Sequence, residues 1–173
     1  FQPLAGKIEV VEVFGYTCSH CAHFEPQLVA WVAKLPKDVR FTPVPAAFGG
    51  PWDAWATAYY AADQLGVAKR SHAAVFKALH EDRSLPMQNV SADELATFYK
   101  QYGVTEAAYV AALKSEAVQA KVSAARDFAR RTRVPGTPSL VINGQFLVKG
   151  NSAEDQLRIA SALIAQARSG KAR

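Results

Sequence analysis

Apolar residues crowd a short run near the start of the chain, Ile8-Glu9-Val10-Val11-Glu12-Val13-Phe14. Ile8, Val10, Glu12 and Phe14 fall on one face of this run, and Glu9, Val11 and Val13 on the other, which predicts a buried strand. The period then changes. Cys21, Phe24, Leu28, Trp31 and Leu35 recur at helical spacing. A helix is therefore predicted over about residues 18–35. Pro26 has no N–H to give and should kink it near residues 22–25. Residues 39–44 read as a second strand. Strand, helix and strand at this spacing form a βαβ unit with parallel strands.

Gly49-Gly50-Pro51 marks a change of character. From Trp52 to about Arg131 the pattern is helical throughout. Trp52, Trp55, Tyr59 and Ala62 mark one helix, ending near Gly66; His72, Val75, Phe76 and Leu79 mark a second. Ser91 with Glu94 predicts a capping box. Leu95, Phe98, Tyr99 and Tyr102 follow, with Gly103 as the stop. Thr105 caps a short helix carrying Tyr109 and Leu113. Val118, Val122, Ala125 and Phe128 line a longer one.

Strand character returns after Val134-Pro135-Gly136-Thr137-Pro138, over residues 139–142 and 145–149. Asn143-Gly144 between them is a strong two-residue hairpin signal. Ser152 then caps a last helix with Leu157, Ile159, Ala160, Leu163 and Ile164 as its apolar positions. The order is βαβ, about eighty helical residues, then ββα. The helical stretch is too long for a loop and reads as an insertion. The expected division is 1–50 and 132–173 for the two halves of one α/β fold, and 51–131 for the inserted helices.

Composition adds little to this picture. Half of the 173 residues are apolar and 20% are charged, which is ordinary for a globular chain. No stretch approaches the roughly 20 apolar residues that span a bilayer. The chain begins Phe1-Gln2-Pro3 without an initiator Met, so it is expected to be a processed piece. Residues 169–173 read as a frayed tail. The net charge is +5, and Arg126, Arg130, Arg131 and Arg133 cluster late in the chain. With no base-stacking motif beside them they read as a solvated helix face, and no nucleic-acid partner is expected.

The cysteines change the picture most. Cys18 and Cys21, in Cys18-Ser19-His20-Cys21, are the two in the chain. A bridge between them closes so short a loop that it removes little unfolded-chain entropy. A pair like this suits being made and broken, which is dithiol–disulfide chemistry. A zinc site built from Cys18, His20, Cys21 and His23 is disfavoured, because four ligands on one helical turn do not converge. No metal and no cofactor are expected. His72 and His80 have no acidic or cysteine companions nearby in sequence and read as surface or structural histidines. Trp31, Trp52 and Trp55 read as core.

Three features in this order resemble the thioredoxin-fold proteins of the DsbA type. They are a strand leading into Cys18-Ser19-His20-Cys21 with Pro26 downstream, a helical insertion after the βαβ half, and Gly136-Thr137-Pro138 ahead of an Asn-Gly hairpin. The resemblance implies an α/β thioredoxin fold with an inserted helical subdomain. It implies that Cys18 is the exposed nucleophile, Cys21 the buried resolving thiol, and His20 a neighbour of the thiolate. Gly136, Thr137 and Pro138 would form a substrate-facing loop with a cis peptide before Pro138, a bond type only X–Pro adopts cheaply. Glu12 takes the place of the buried acid beneath the resolving cysteine. The family's usual lysine partner is missing, because the corresponding stretch is Phe41-Thr42-Pro43-Val44. Glu12 thus reads either as a proton acceptor for Cys21 or as a strand-end carboxylate reaching water. Ser19-His20 departs from the commoner Pro-His pair, and Thr137 from the Val often found before the cis-proline.

The function this implies is a thiol–disulfide oxidase acting on exported, unfolded proteins. It would be a periplasmic monomer, reoxidised by a membrane quinone-linked, DsbB-like partner. Two alternatives stay open: an isomerase or reductase of the same fold, toward which Thr137 leans, and a non-catalytic module that holds unfolded chains.

Overall fold

The structure, a computed structural model, describes residues 6–170. The chain start at Phe1-Gln2-Pro3, and the tail expected at its end from residue 171 on, lie outside the described residues. Strand β1 (Ile8–Phe14) is buried along its whole length. It pairs in parallel with β2 (Val39–Pro45) through the crossover helix α1 (Ser19–Val32). On its other edge β1 pairs antiparallel with β3 (Ser139–Ile142), which turns back into β4 (Phe146–Leu147). The sheet order is β2-β1-β3-β4. Asn143 and Gly144 both take positive φ, 51° and 66°, as a two-residue turn of this kind demands. The last strand is shorter than expected, because its pairing with β3 stops after two residues.

Between β2 and β3 lie α2 (Pro51–Gln64), α3 (Ala68–His80), α4 (Ala92–Tyr99), a single 3-10 turn at Lys100–Tyr102, α5 (Glu106–Leu113) and α6 (Glu116–Arg131). Helix α7 (Ala153–Arg168) ends the fold. The caps form where the sequence places them. Ser91 and Glu94 make both bonds of the capping box. Thr105 and Ser152 accept the N–H groups of Ala108 and Asp155. Gly103 ends its helix at φ 81°. Helix α1 continues past Pro26 and ends three residues sooner than predicted.

The sheet divides two apolar layers. Ile8 and Val10 pack with Phe24 and Leu28 of α1, Leu140 and Ile142 of β3, and Leu157, Ala160 and Ile164 of α7. Val11 and Val13 face the inserted helices. Phe14 was expected on the Ile8 face, yet it joins the Val11 layer. Phe14 still pairs with Pro45 of β2 but lies one residue past the last β3 pair, and its ring packs on Tyr16, Tyr59 and Phe76. Glu9 is buried and pairs with Arg40, its neighbour across the β1–β2 ladder. Arg126 reaches from α6 to Asp53 of α2 and to the Ala47 carbonyl, so it ties the helices to the loop after β2. Arg133 lies beyond the end of α6, at φ 55°.

Candidate functional site

The tight turn after β1 delivers Cys18 to the N-terminus of α1. Cys18 N–H donates to the Gly15 carbonyl at 3.1 Å, and Cys18 is the N-cap residue of the helix. A cap residue sits where helix N–H groups lack partners and the helix dipole is positive. Its Sγ accepts the N–H of Cys21 at 3.4 Å. No acidic side chain occupies the first turn to oppose a negative charge there. Both cysteines are free thiols; Cys18 is half-buried and Cys21 is buried.

The two thiols are driven apart in acidity. Cys18 is lowered from its ordinary value to about 5. The hydrogen bond with the Cys21 side chain does most of this, and the Thr137 side chain and the backbone N–H groups of Cys21 and His20 add to it against the cost of burial. Cys21 is pushed strongly up, first by the same bond to Cys18 and then by burial. One proton is therefore held by the pair, and it sits on Cys21. His20 contributes through its backbone N–H, while its ring is exposed.

The third edge of the site comes from the far end of the chain. The Thr137–Pro138 peptide is cis, and it leads directly into β3. Thr137 O lies 3.5 Å from Cys18 Sγ, so it can accept from a thiol but gains nothing from a thiolate. Gly136 holds the loop in place by accepting the Ser139 hydroxyl at 2.7 Å. A 390 Å³ pocket opens over Cys18, lined by Thr17, Ser19, His20, Phe48, Trp52 and the stretch from Pro135 to Thr137. Trp52 is thus a pocket wall rather than a core residue. It can lie there because Gly15 has no side chain: a Cβ at that position would sit 2.1 Å from the indole ring. Phe48 lies tilted beside Trp52, ring centroids 5.4 Å apart, and stands 45% exposed at the rim.

Glu12 lies within the sheet at 1% exposure, so its carboxyl does not reach water from a strand end. Pro43 faces it on β2 and Leu140 on β3. Burial pushes its carboxyl well up, and the charges of Glu25 and Cys18 push in the same direction. Its Oε2 has no hydrogen-bond partner among the described residues. A carboxyl whose protonated form is favoured by burial, and which the Cys18 charge reaches, can donate or accept the proton that Cys21 must gain or lose.

Sequence reasoning missed Tyr16, Glu25, His72 and His80 as neighbours of this site. His72 Nδ1 lies 2.8 Å from the Tyr16 hydroxyl, and His80 Nε2 donates to the Tyr16 carbonyl at 2.7 Å. The trace in the sequence was the position of His72 on the apolar stripe of α3. Among the described residues no cluster of His, Cys, Asp and Glu is arranged to hold a metal ion, and no helix is long and apolar enough to cross a membrane.

Comparison with known proteins points one way. Residues 38–162 match the family described as the DSBA-like thioredoxin domain. The thiol:disulfide interchange protein DsbA of Pseudomonas syringae pv. tomato is 40% identical over 163 residues, which cover 92% of this chain and 74% of that protein. The protein of the same name from Azotobacter vinelandii is 37% identical, covering 96% and 78%. Among solved structures, the oxidoreductase DsbA from Xylella fastidiosa superposes with a TM-score of 0.95 at 56% identity, covering 96% of this chain and 89% of that one.

Proposed function

The chain belongs to the DSBA-like thioredoxin domain family, and we propose that it is a thiol:disulfide oxidase working through Cys18 and Cys21. One observation carries this reading: a half-exposed thiol at a helix N-terminus lowered to about 5, beside a buried thiol pushed far up. A stabilised thiolate is a good leaving group, so its disulfide is readily reduced and the protein oxidises others.

The residues divide the reaction as follows. A substrate thiolate bonds to Cys18 Sγ of the oxidised pair. The Cys18–Cys21 bond breaks, and its electron pair goes to Cys21. Buried Cys21 cannot keep the charge and takes up a proton, for which Glu12 is the donor. A second substrate thiolate then attacks the substrate sulfur and expels Cys18 as the stable thiolate. The substrate leaves with a disulfide, and the enzyme is left two electrons richer as a Cys18 thiolate and a Cys21 thiol. Gly136, Thr137 and Pro138 face this exchange and hold an extended substrate segment along the Thr137 backbone. The Phe48–Trp52 wall offers an apolar surface beside the reacting sulfur.

The substrates are unfolded exported proteins and the setting is the periplasm, with a membrane quinone-linked partner of the DsbB kind restoring the disulfide. An oxidising compartment is where such a pair can be kept oxidised. The test is oxidation of a reduced, unfolded substrate by the purified, oxidised protein. Stoichiometric disulfide transfer that is lost in Cys18→Ser is expected. A Cys18→Ser, Cys21→Ser double variant with full activity would instead show a holding module, and preferential turnover of scrambled over reduced substrate would show an isomerase.

A further inference from the structure

Helix α3 brings a second set of titratable groups behind the redox pair. Tyr16 lies two residues before Cys18 and is 1% exposed. Its hydroxyl meets His72 Nδ1, while the other ring nitrogen, Nε2, lies 3.6 Å from Glu25 Oε2. That is too long for a hydrogen bond, and it becomes an ion pair only when the imidazole carries its second proton. Both side chains are 12% exposed. The rings of Phe14, Tyr16, Tyr59 and Phe76 surround His72, with centroids 4.8, 5.2, 6.0 and 5.2 Å away. Glu25 in turn acts on Glu12, and so does Cys18. Glu12 is thus reached by the charges of both Glu25 and Cys18, and His72, which is cationic when doubly protonated, lies against Glu25.

We propose that His72 is a positioning residue for the redox pair: it takes up a proton beside Glu25 when the disulfide is reduced, offsets the charge that appears at Cys18, and so strengthens the protein as an oxidant below neutral pH. This rests on the oxidase reading above. Reduction by two thiols breaks the Cys18–Cys21 bond, forms the disulfide of the reductant, and leaves a thiolate at Cys18 and a thiol at Cys21. One proton of the original two is left over. With His72 absent it is released to solvent; with His72 present, part of it stays on the imidazole. Histidine is suited to this because it changes charge within the physiological range. The coupling is reciprocal: a charge at His72 that favours the thiolate is itself favoured by the thiolate.

The other groups that face His72 do not supply this response. Tyr16 and Tyr59 are pushed up by burial and stay neutral. Phe14 and Phe76 do not titrate. His80 binds the Tyr16 carbonyl, and His20 and His23 are exposed on α1. These histidines and Glu12 remain in a His72 variant, so they cancel in a comparison.

The experiment is the equilibrium of the protein with reduced and oxidised glutathione, for wild type and His72→Gln, between about pH 5.5 and pH 8. The reduction constant of wild type is expected to exceed that of the variant by roughly three- to tenfold at the acid end, with the ratio falling to about one at the alkaline end. A purely structural role moves the ratio equally at every pH. A ratio without pH dependence overturns the proposal. If His72→Gln does not fold, the imidazole resonance of His72 in wild type is followed in both redox forms. Titration at higher pH in the reduced form supports the proposal, and identical titration overturns it. Absence of any exchange with glutathione overturns the oxidase reading, and the inference with it.

Discussion

Reducing the Cys18–Cys21 disulfide exchanges one stabilising effect for another, and pH decides which is larger. The bridge closes a loop of four residues. By chain entropy, a loop that short is worth about 2 kcal/mol. In the reduced protein the opposing effect is the thiolate at Cys18, lowered to about 5 in the folded state. The unfolded thiol titrates near 8.5, and each unit of difference is worth about 1.4 kcal/mol, which sets a ceiling near 5 kcal/mol. Cys18 is half exposed, so solvent screening cuts this to roughly 2 kcal/mol. The two effects are comparable.

The direction follows from linkage. A thiol whose folded value is depressed adds stability that is fully present above the unfolded value and is lost as pH falls through the folded one. Below about pH 5 the reduced protein has no thiolate advantage, and the oxidised form should be the more stable. From there to about pH 8.5 the gap should close by roughly 2 kcal/mol, so that the forms become equal or exchange order. Cys21 is pushed up in the fold, so it adds nothing until the unfolded thiol begins to ionise at about pH 8.5, where it starts to offset the gain. Glu12 is raised in the fold chiefly by burial, and that part costs stability as pH rises in both redox forms. Urea melts of the oxidised protein, the reduced protein and Cys18→Ser at several pH values measure this directly. The reduced form should show the rise, and Cys18→Ser, with no thiol there to titrate, should lack it. A gap that stays constant with pH would refute a stabilised thiolate at Cys18.

Brief iodoacetamide treatment of the reduced protein near pH 6 should label Cys18 almost alone, since Cys21 is buried and protonated; mass spectrometry reads the site, and labelling of Cys21 first would reverse the assignment. Thr137→Val removes a side chain that lowers Cys18, so the ultraviolet titration of the thiolate should shift upward and the protein become a weaker oxidant; an unmoved titration would remove Thr137 from the site. Gly15→Ala places a Cβ 2.1 Å from the Trp52 ring, so the indole must leave the pocket wall. A loss of about 1–3 kcal/mol in urea melts and altered tryptophan fluorescence are expected, and wild-type behaviour on both counts would mean that Trp52 does not depend on the open side of Gly15.

The parts of this fold that were legible in the sequence are those fixed by neighbours in the chain. The capping box of Ser91 and Glu94, the Thr105 and Ser152 caps and the Asn143-Gly144 turn each complete their bonds within three residues. Hydrophobic period located β1, α1 and the inserted helices for the same reason. The errors fall where a residue answers to something distant. Phe14 leaves its expected face at the last residue of β1, where pairing with β2 continues but pairing with β3 has ended. Trp52 belongs to a helical stripe by spacing, yet packs over Gly15, whose missing side chain gives no apolar signal.

The candidate site divides along the same line. Cys18 and Cys21 were legible because the chemistry and the helix start share four residues. The Thr137 loop, 119 residues further on, was placed by resemblance rather than by any local pattern. Glu25 and His72 had neither. On α1 and α3 they read as one polar position between apolar turns and as a member of an apolar stripe, and only the packing of those helices makes them a pair. A histidine on a buried stripe is therefore informative in itself: it occupies a place where an apolar residue would cost less, unless a carboxylate arrives from another element to share its proton. Glu25 arrives in that position here, beside the strand that carries Glu12 and opens into Cys18.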